Sequence, residues 1–204
     1  MERTNHIRLV GTVTEPPAYC HSIYGEDFYK LTLAALRLSG TEDVLPVTVS
    51  ERLLVNRDIP ADTKLEVLGQ VRSYNQRTED ASHLMITVFA RELYLLGESG
   101  RELDRNEVEL FGHICKPVIY RTTPFSREIA DVLVAVNRRY MKSDYLPAIA
   151  WGRNARFARE LVCGDPVMIR GRLQSRGYQK TLPDGEAEQR TAYEISCSSI
   201  EKTE

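Results

Sequence analysis

Long apolar runs, paired cysteines and a charge excess of either sign are all missing from this chain. No apolar stretch approaches the ~20 residues that a membrane-spanning helix needs. The N-terminal MERTNHIRLVG lacks the basic, apolar and small-residue regions of a signal peptide. A soluble cytoplasmic chain is expected. The four cysteines, Cys20, Cys115, Cys163 and Cys197, form no CxxC pair, whereas zinc sites usually show closely spaced ligands. They read as small buried hydrophobes. His6, His21, His83 and His113 are scattered, and no HExxH, GxxxxGKS/T or GxSxG pattern occurs, so no enzyme, metal or cofactor is expected. The formal net charge is only −2, so the chain as a whole has no pull on a polyanion.

What is present is globular: 204 residues, 42% hydrophobic and 27% charged, enough for one large domain or two of about 100 residues. Charge is uneven along the chain. Residues 1–103 hold 11 Lys+Arg against 15 Asp+Glu, while residues 104–204 hold 16 against 14. The excess is concentrated in Asp104–Ser175, with 12 against 8, so a basic patch fits inside a near-neutral chain.

The chain also repeats itself. NHIRLVGTV (Asn5–Val13) aligns with NEVELFGHI (Asn106–Ile114) at an offset of 101. The same offset pairs Pro16 with Pro117, Tyr19 with Tyr120, LTLAALR (Leu31–Arg37) with VLVAVNR (Val132–Arg138), and Leu45-Pro46 with Leu146-Pro147. After a slip of one residue, GQVRS (Gly69–Ser73) aligns with GRLQS (Gly171–Ser175). Two copies of one domain are expected, at 1–97 and 104–201, joined near Gly97-Glu-Ser-Gly100 by a short polar linker.

Apolar alternation and turn residues predict strands near 6–14, 28–37, 44–50, 64–74 and 83–96 in the first copy. In the second they fall near 106–115, 129–139, 145–151, 166–177 and 190–200. A short helix is expected between the third and fourth strands. It is clearest in the second copy, with Asn154 as N-cap, Phe157, Ala158 and Leu161 on one face, and an end at Cys163-Gly164. The predicted fold is all-β: two tandem five-stranded barrels in the strand order of the OB-fold, an order other small β-barrels share.

On the strand Tyr145-Leu-Pro-Ala-Ile-Ala-Trp151, Leu146, Ala148 and Ala150 share one face, leaving Tyr145 and Trp151 on the other. A second packed face is the alternative reading, since strands favour aromatics. Three neighbouring features argue for an open surface. Tyr140 lies in a loop beside Arg138 and Arg139. Tyr178 follows Arg170, Arg172 and Arg176. Arg153 comes just after Trp151. Rings interleaved with cations suit single-stranded nucleic acid, because every base has a π-face and every phosphate a charge.

Together, VAVNRRY (Val134–Tyr140), DYLPAIAWGR (Asp144–Arg153), GDPVMIRGRLQSRGY (Gly164–Tyr178) and TAYEISCSSIE (Thr191–Glu201) resemble the DNA-binding domain of bacterial single-stranded DNA-binding proteins. The resemblance covers nearly all of the second copy. It implies the OB barrel, binding of single-stranded DNA without sequence preference, and service in replication, repair and recombination. It implies base stacking by Tyr140, Tyr145, Trp151 and Tyr178, with phosphates met by Arg138, Arg139, Arg153, Arg172 and Arg176. The family works with four such barrels, so two per chain imply a homodimer. Replication proteins stay possible partners, but the sequence stops at Ile200-Glu-Lys-Thr-Glu204 without the family's usual linker and acidic tail that recruits them. In the first copy the four ring positions become Ser39, Val44, Ser50 and Gln76. That copy is therefore expected to be mainly structural, with Arg72, Tyr74 and Arg77 as a residual contact. Two other roles stay open: a primosome-type or mobile-element accessory protein acting through protein contacts, and an oligomeric structural protein without nucleic-acid binding.

Overall fold

The computed structural model describes residues 5–77, 82–97, 103–138, 141–181 and 186–203. The first barrel contains β1 (Asn5–Ile23), β2 (Glu26–Leu36), β3 (Glu42–Ser50), β4 (Lys64–Arg77) and β5 (Ser82–Leu95). The second contains β6 (Arg105–Ile114), β7 (Ile119–Thr122), β8 (Glu128–Asn137), β9 (Ser143–Trp151), helix α1 (Arg153–Ala158), β10 (Pro166–Thr181) and β11 (Ala187–Lys202). Both follow one pairing plan. In the first, β1 pairs with β2 and β4, β2 with β3, β3 in parallel with β5, and β4 with β5. In the second, β6 pairs with β8 and β10, β8 with β9, β9 in parallel with β11, and β10 with β11. The expected pair of all-β barrels is what the chain forms.

Inward positions are aliphatic. Leu9, Leu33, Leu45 and Leu65 fill the first barrel, and Leu110, Leu146, Ile169 and Leu173 the second, all sealed from solvent. Each such side chain contributes about 1.5–3 kcal/mol. Gly69 and Gly171 occupy equivalent bulges, between Leu68 and Gly69 and between Arg170 and Gly171. A Cβ at either would collide with the carbonyl oxygen of Phe89 or Ser196. The tight corner therefore admits glycine only.

Three local expectations need correction. The stretch left unassigned between the predicted strands 6–14 and 28–37 is largely a continuation of β1, which pairs with β2 as far as Ile23↔Glu26 by shifting register around Pro16 and Pro17. Bulges absorb what proline cannot donate. In the first copy the expected helix is only a 3-10 turn, Glu51–Leu53. In the second, α1 is capped by Gly152 at φ 52°, not by Asn154, whose amide instead donates to the Ser198 carbonyl at 2.9 Å. The helix ends at Ala158, and its buried residues are Ala155 and Ala158, while Phe157 faces solvent. The one-residue slip between the copies falls in this β3–β4 and β9–β10 connection.

The barrels join edge to edge. β1 and β6 pair antiparallel from Asn5↔Leu110 to Val10↔Arg105. With an internal offset of 101, this register is symmetric about Ile7 and Val108, a pseudo-two-fold inside one chain. The linker expected at 98–100 lies outside the described residues.

Candidate nucleic-acid interface

β9 alternates as the sequence implies except at Ile149, which is buried on the outer face. Leu146, Ala148 and Ala150 are buried, while Tyr145 is 47% and Trp151 38% exposed. Register extends this outer face to other strands, because cross-strand partners project to the same side. Ile149 pairs with Ser196, and Ser196 with Arg172. Four and six pairs further along β10, on the same face, come Arg176↔Ala192 and Tyr178↔Arg190, with Tyr178 37% exposed. Tyr145, Trp151, Arg176 and Tyr178 thus share the outer surface of one barrel. Six residues of strand separate Tyr145 from Trp151, roughly 20 Å, enough for several bases. Tyr140 and Arg139 lie outside the described residues.

The expected cations divide into two groups. Arg153 is exposed at the start of α1 and makes no ion pair among the described residues. Arg176 is also exposed, with its Nε 3.6 Å from Glu194. Arg138 and Arg172 are placed differently, in the junction between barrels. Arg138 Nε is 3.1 Å from Asp144, and Arg72 reaches the same carboxylate from the first barrel at 3.2 Å. Arg172 approaches Asp43 at 3.9 Å, and Arg37 forks onto that carboxylate.

Backbone bonds complete a reciprocal clasp. Ser73 N donates to Asp144 at 2.7 Å, and Tyr145 N donates to Ser73 Oγ at 2.8 Å. Across the pseudo-dyad, Ser175 N donates to Asp43 at 2.9 Å, and Val44 N donates to Ser175 Oγ at 3.0 Å. Both carboxylates are sealed from water. Burial pushes the Asp144 carboxyl above its ordinary value, against the pull of Ser73 and the two guanidinium groups. Burial likewise lowers Arg72, opposed by Asp144. The arrangement fixes Tyr145 by its own amide at the edge of the junction.

Comparison with known proteins agrees with this geometry. The model of the single-strand binding protein family matches residues 105–203, the second barrel. The single-stranded DNA-binding protein of Deinococcus radiodurans is 30% identical over 94% of this chain and 73% of its own length. The chain belongs to the single-strand binding protein family. Crystal structures of the single-stranded DNA binding protein from Thermus aquaticus, wild type and a deletion mutant, share the fold of both barrels at 22% identity. Their TM-scores are 0.75 and 0.77, with 98% of this chain covered and 93% and 94% of theirs. Proteins of the single-strand binding family are non-enzymatic and bind DNA. No helix among the described residues is long and apolar enough to cross a membrane.

Two residues of this family member's face escaped the sequence reading. Arg121 on β7 pairs with Ile129, which pairs with Trp151, so all three share one row. Its guanidinium meets Asp131 at 2.9 Å and remains half exposed. Phe125 stands in the β7–β8 turn and is 87% exposed. The signal was the ring between cations in Arg121-Thr-Thr-Pro-Phe-Ser-Arg127.

Proposed function

We propose that this single-strand binding protein holds unpaired DNA on the outer face of its C-terminal barrel. Tyr145, Trp151 and Tyr178 stack on bases there, with Tyr140 completing the set at the β8–β9 connection. Arg153 and Arg176 meet phosphates, joined by Arg139. Arg138 and Arg172 chiefly hold the two barrels together, and Arg138 acts on DNA through the half of the clasp that fixes Tyr145. The observation that carries this reading is the exposure of three rings on one face of a strand set whose other face is a sealed aliphatic core. A packed second face would have buried them. Stacking accepts any base, so binding is independent of sequence, as replication, repair and recombination require of a strand-coating protein.

The working assembly is a homodimer, which supplies four barrels. Light scattering of the free protein should give twice the chain mass of 23.3 kDa. The protein acts in the cytoplasm, on nucleoid DNA. Trp151→Ala and Tyr145→Ala should each weaken binding of a labelled oligo-dT by about 1–3 kcal/mol. Folded variants with full affinity would move the platform elsewhere.

A further inference from the structure

The four cysteines, expected as small buried hydrophobes, separate on folding. Cys197 is buried and Cys115 half-buried, while Cys20 and Cys163 are exposed. Two of the four meet. β6 ends at Ile114, and the turn leading from α1 into β10 runs back past that end. Gly164 N donates to the Ile114 carbonyl at 2.8 Å, and Ile114 N donates to the Asp165 carbonyl at 3.0 Å. The peptide between Cys163 and Gly164 therefore faces the peptide between Ile114 and Cys115. The two segments run antiparallel, so Cys163 stands across from Cys115. Cross-strand Cα atoms lie about 4.5–5.5 Å apart, inside the range of about 4.4–6.8 Å that a disulfide spans. Burial pushes the Cys115 thiol up, Lys116 opposes this, and a charge on Cys163 adds to it. The two sulfurs are thus close enough to interact.

Both sides of the pair are held in place. Cys115 N donates to the Leu133 carbonyl at 2.9 Å. Gly164, at φ 94°, makes the turn in which Asp165 N returns to the Val162 carbonyl at 3.1 Å. The Asp165 carboxylate accepts from Val162 N at 2.9 Å and meets Lys202 at 2.6 Å. We propose that Cys115 and Cys163 form a modification site, a dithiol that a peroxide converts to a disulfide. The exposed Cys163 sulfur attacks the peroxide and the O–O bond breaks. Water or an alcohol leaves, and Cys163 becomes a sulfenic acid. The Cys115 sulfur then attacks that of Cys163, forming the S–S bond. The hydroxyl leaves with the Cys115 proton as water. Two thiols are oxidised and one peroxide is reduced, and a thiol reductant reverses the change. The bond clamps the α1–β10 turn to β6. It ties down one end of a segment whose other end carries Trp151 and Arg153, and it leaves the rings free. Cytoplasmic disulfides of this kind are transient and report on redox state.

The test uses the full chain carrying Cys20→Ser, which leaves Cys163 as the one exposed thiol. The protein is treated with hydrogen peroxide, blocked with iodoacetamide and digested with trypsin. The peptides 106–121 and 160–170 should be recovered joined, two hydrogens lighter than their sum. The thermal midpoint should rise by about 10 °C and fall back with dithiothreitol, while oligo-dT affinity stays unchanged. Adding Cys163→Ser should abolish both the link and the rise. Adding Cys115→Ser instead should leave a Cys163 sulfenic acid that dimedone traps. Full alkylation of both peptides after peroxide overturns the proposal. So do links through Cys163 that join separate chains, and so does a rise in midpoint that survives Cys163→Ser. A link formed without any change in midpoint overturns the clamp.

Discussion

The two barrels share a backbone plan and differ in what they show to solvent. Each has the same pairing scheme, the same glycine bulge and the same Ser–Asp clasp. Even Asn5, buried, and Asn106, half-buried, play one role, each bonding both ways to a neighbouring strand, at Val71 on β4 and Leu173 on β10. On the outer face, Trp151 stands where the first barrel has Ser50, and Ile129 where it has Phe28. The inner face is held by close packing, in which a change of one methylene is felt. The outer face answers only to its ligand. Duplication has therefore kept the core and the junction while the rings changed strands.

The junction offers the largest break in this symmetry. Asp144→Ala leaves Arg72 and Arg138 facing an empty site and Ser73 N without its acceptor. It should cost about 3 kcal/mol in urea denaturation, the usual penalty for orphaning a buried ion pair. Asp43→Ala should cost a similar amount, because the clasp is reciprocal. A loss confined to one of the two would mean that the junction is not symmetric.

A smaller effect distinguishes the cores. Cys197 faces Gly171 where the first barrel sets Ala90 against Gly69, and burial pushes its thiol up to about 12. An acid whose value is raised on folding gives stability that is complete below its unfolded value, near 8.5, and lost as pH rises toward the folded value. Between those limits each pH unit should cost about 1.4 kcal/mol. Cys197→Ala, which copies the first barrel, should flatten the alkaline slope of urea midpoints; an unaltered slope would place the titration elsewhere.

The smallest effect concerns charge. Arg153→Ala should reduce the slope of log affinity against log salt by about 0.7, one phosphate contact on a single strand. Ser50→Ala in the first barrel should change neither affinity nor slope, and any marked loss there would show that the two faces work alike.

Much of this was legible in the sequence. Alternation placed Leu146, Ala148 and Ala150 inside and Tyr145 and Trp151 outside, because a strand obeys a period of two whatever its surroundings. The 101-residue offset revealed the duplication, since both copies must fill the same core. The junction was hidden. Arg138 and Arg172 look like surface cations, and only folding brings Asp144 to Arg72 and Asp43 to Arg172 across more than 70 positions. The first barrel's Phe28, opposite Ser50, was hidden for another reason. Position-by-position comparison asks whether Ser50 is aromatic, not whether its cross-strand partner Phe28 is. No strand was expected between 14 and 28, since prolines 16 and 17 cannot donate to a ladder and the bulges that accommodate them cannot be seen in sequence.

The chain's one tryptophan lies on the proposed platform and reports on it without any label. Titration of the protein with oligo-dT should strongly quench Trp151 emission, and added salt should restore it. Emission that stays constant through micromolar oligo-dT would contradict the claim that this ring receives bases.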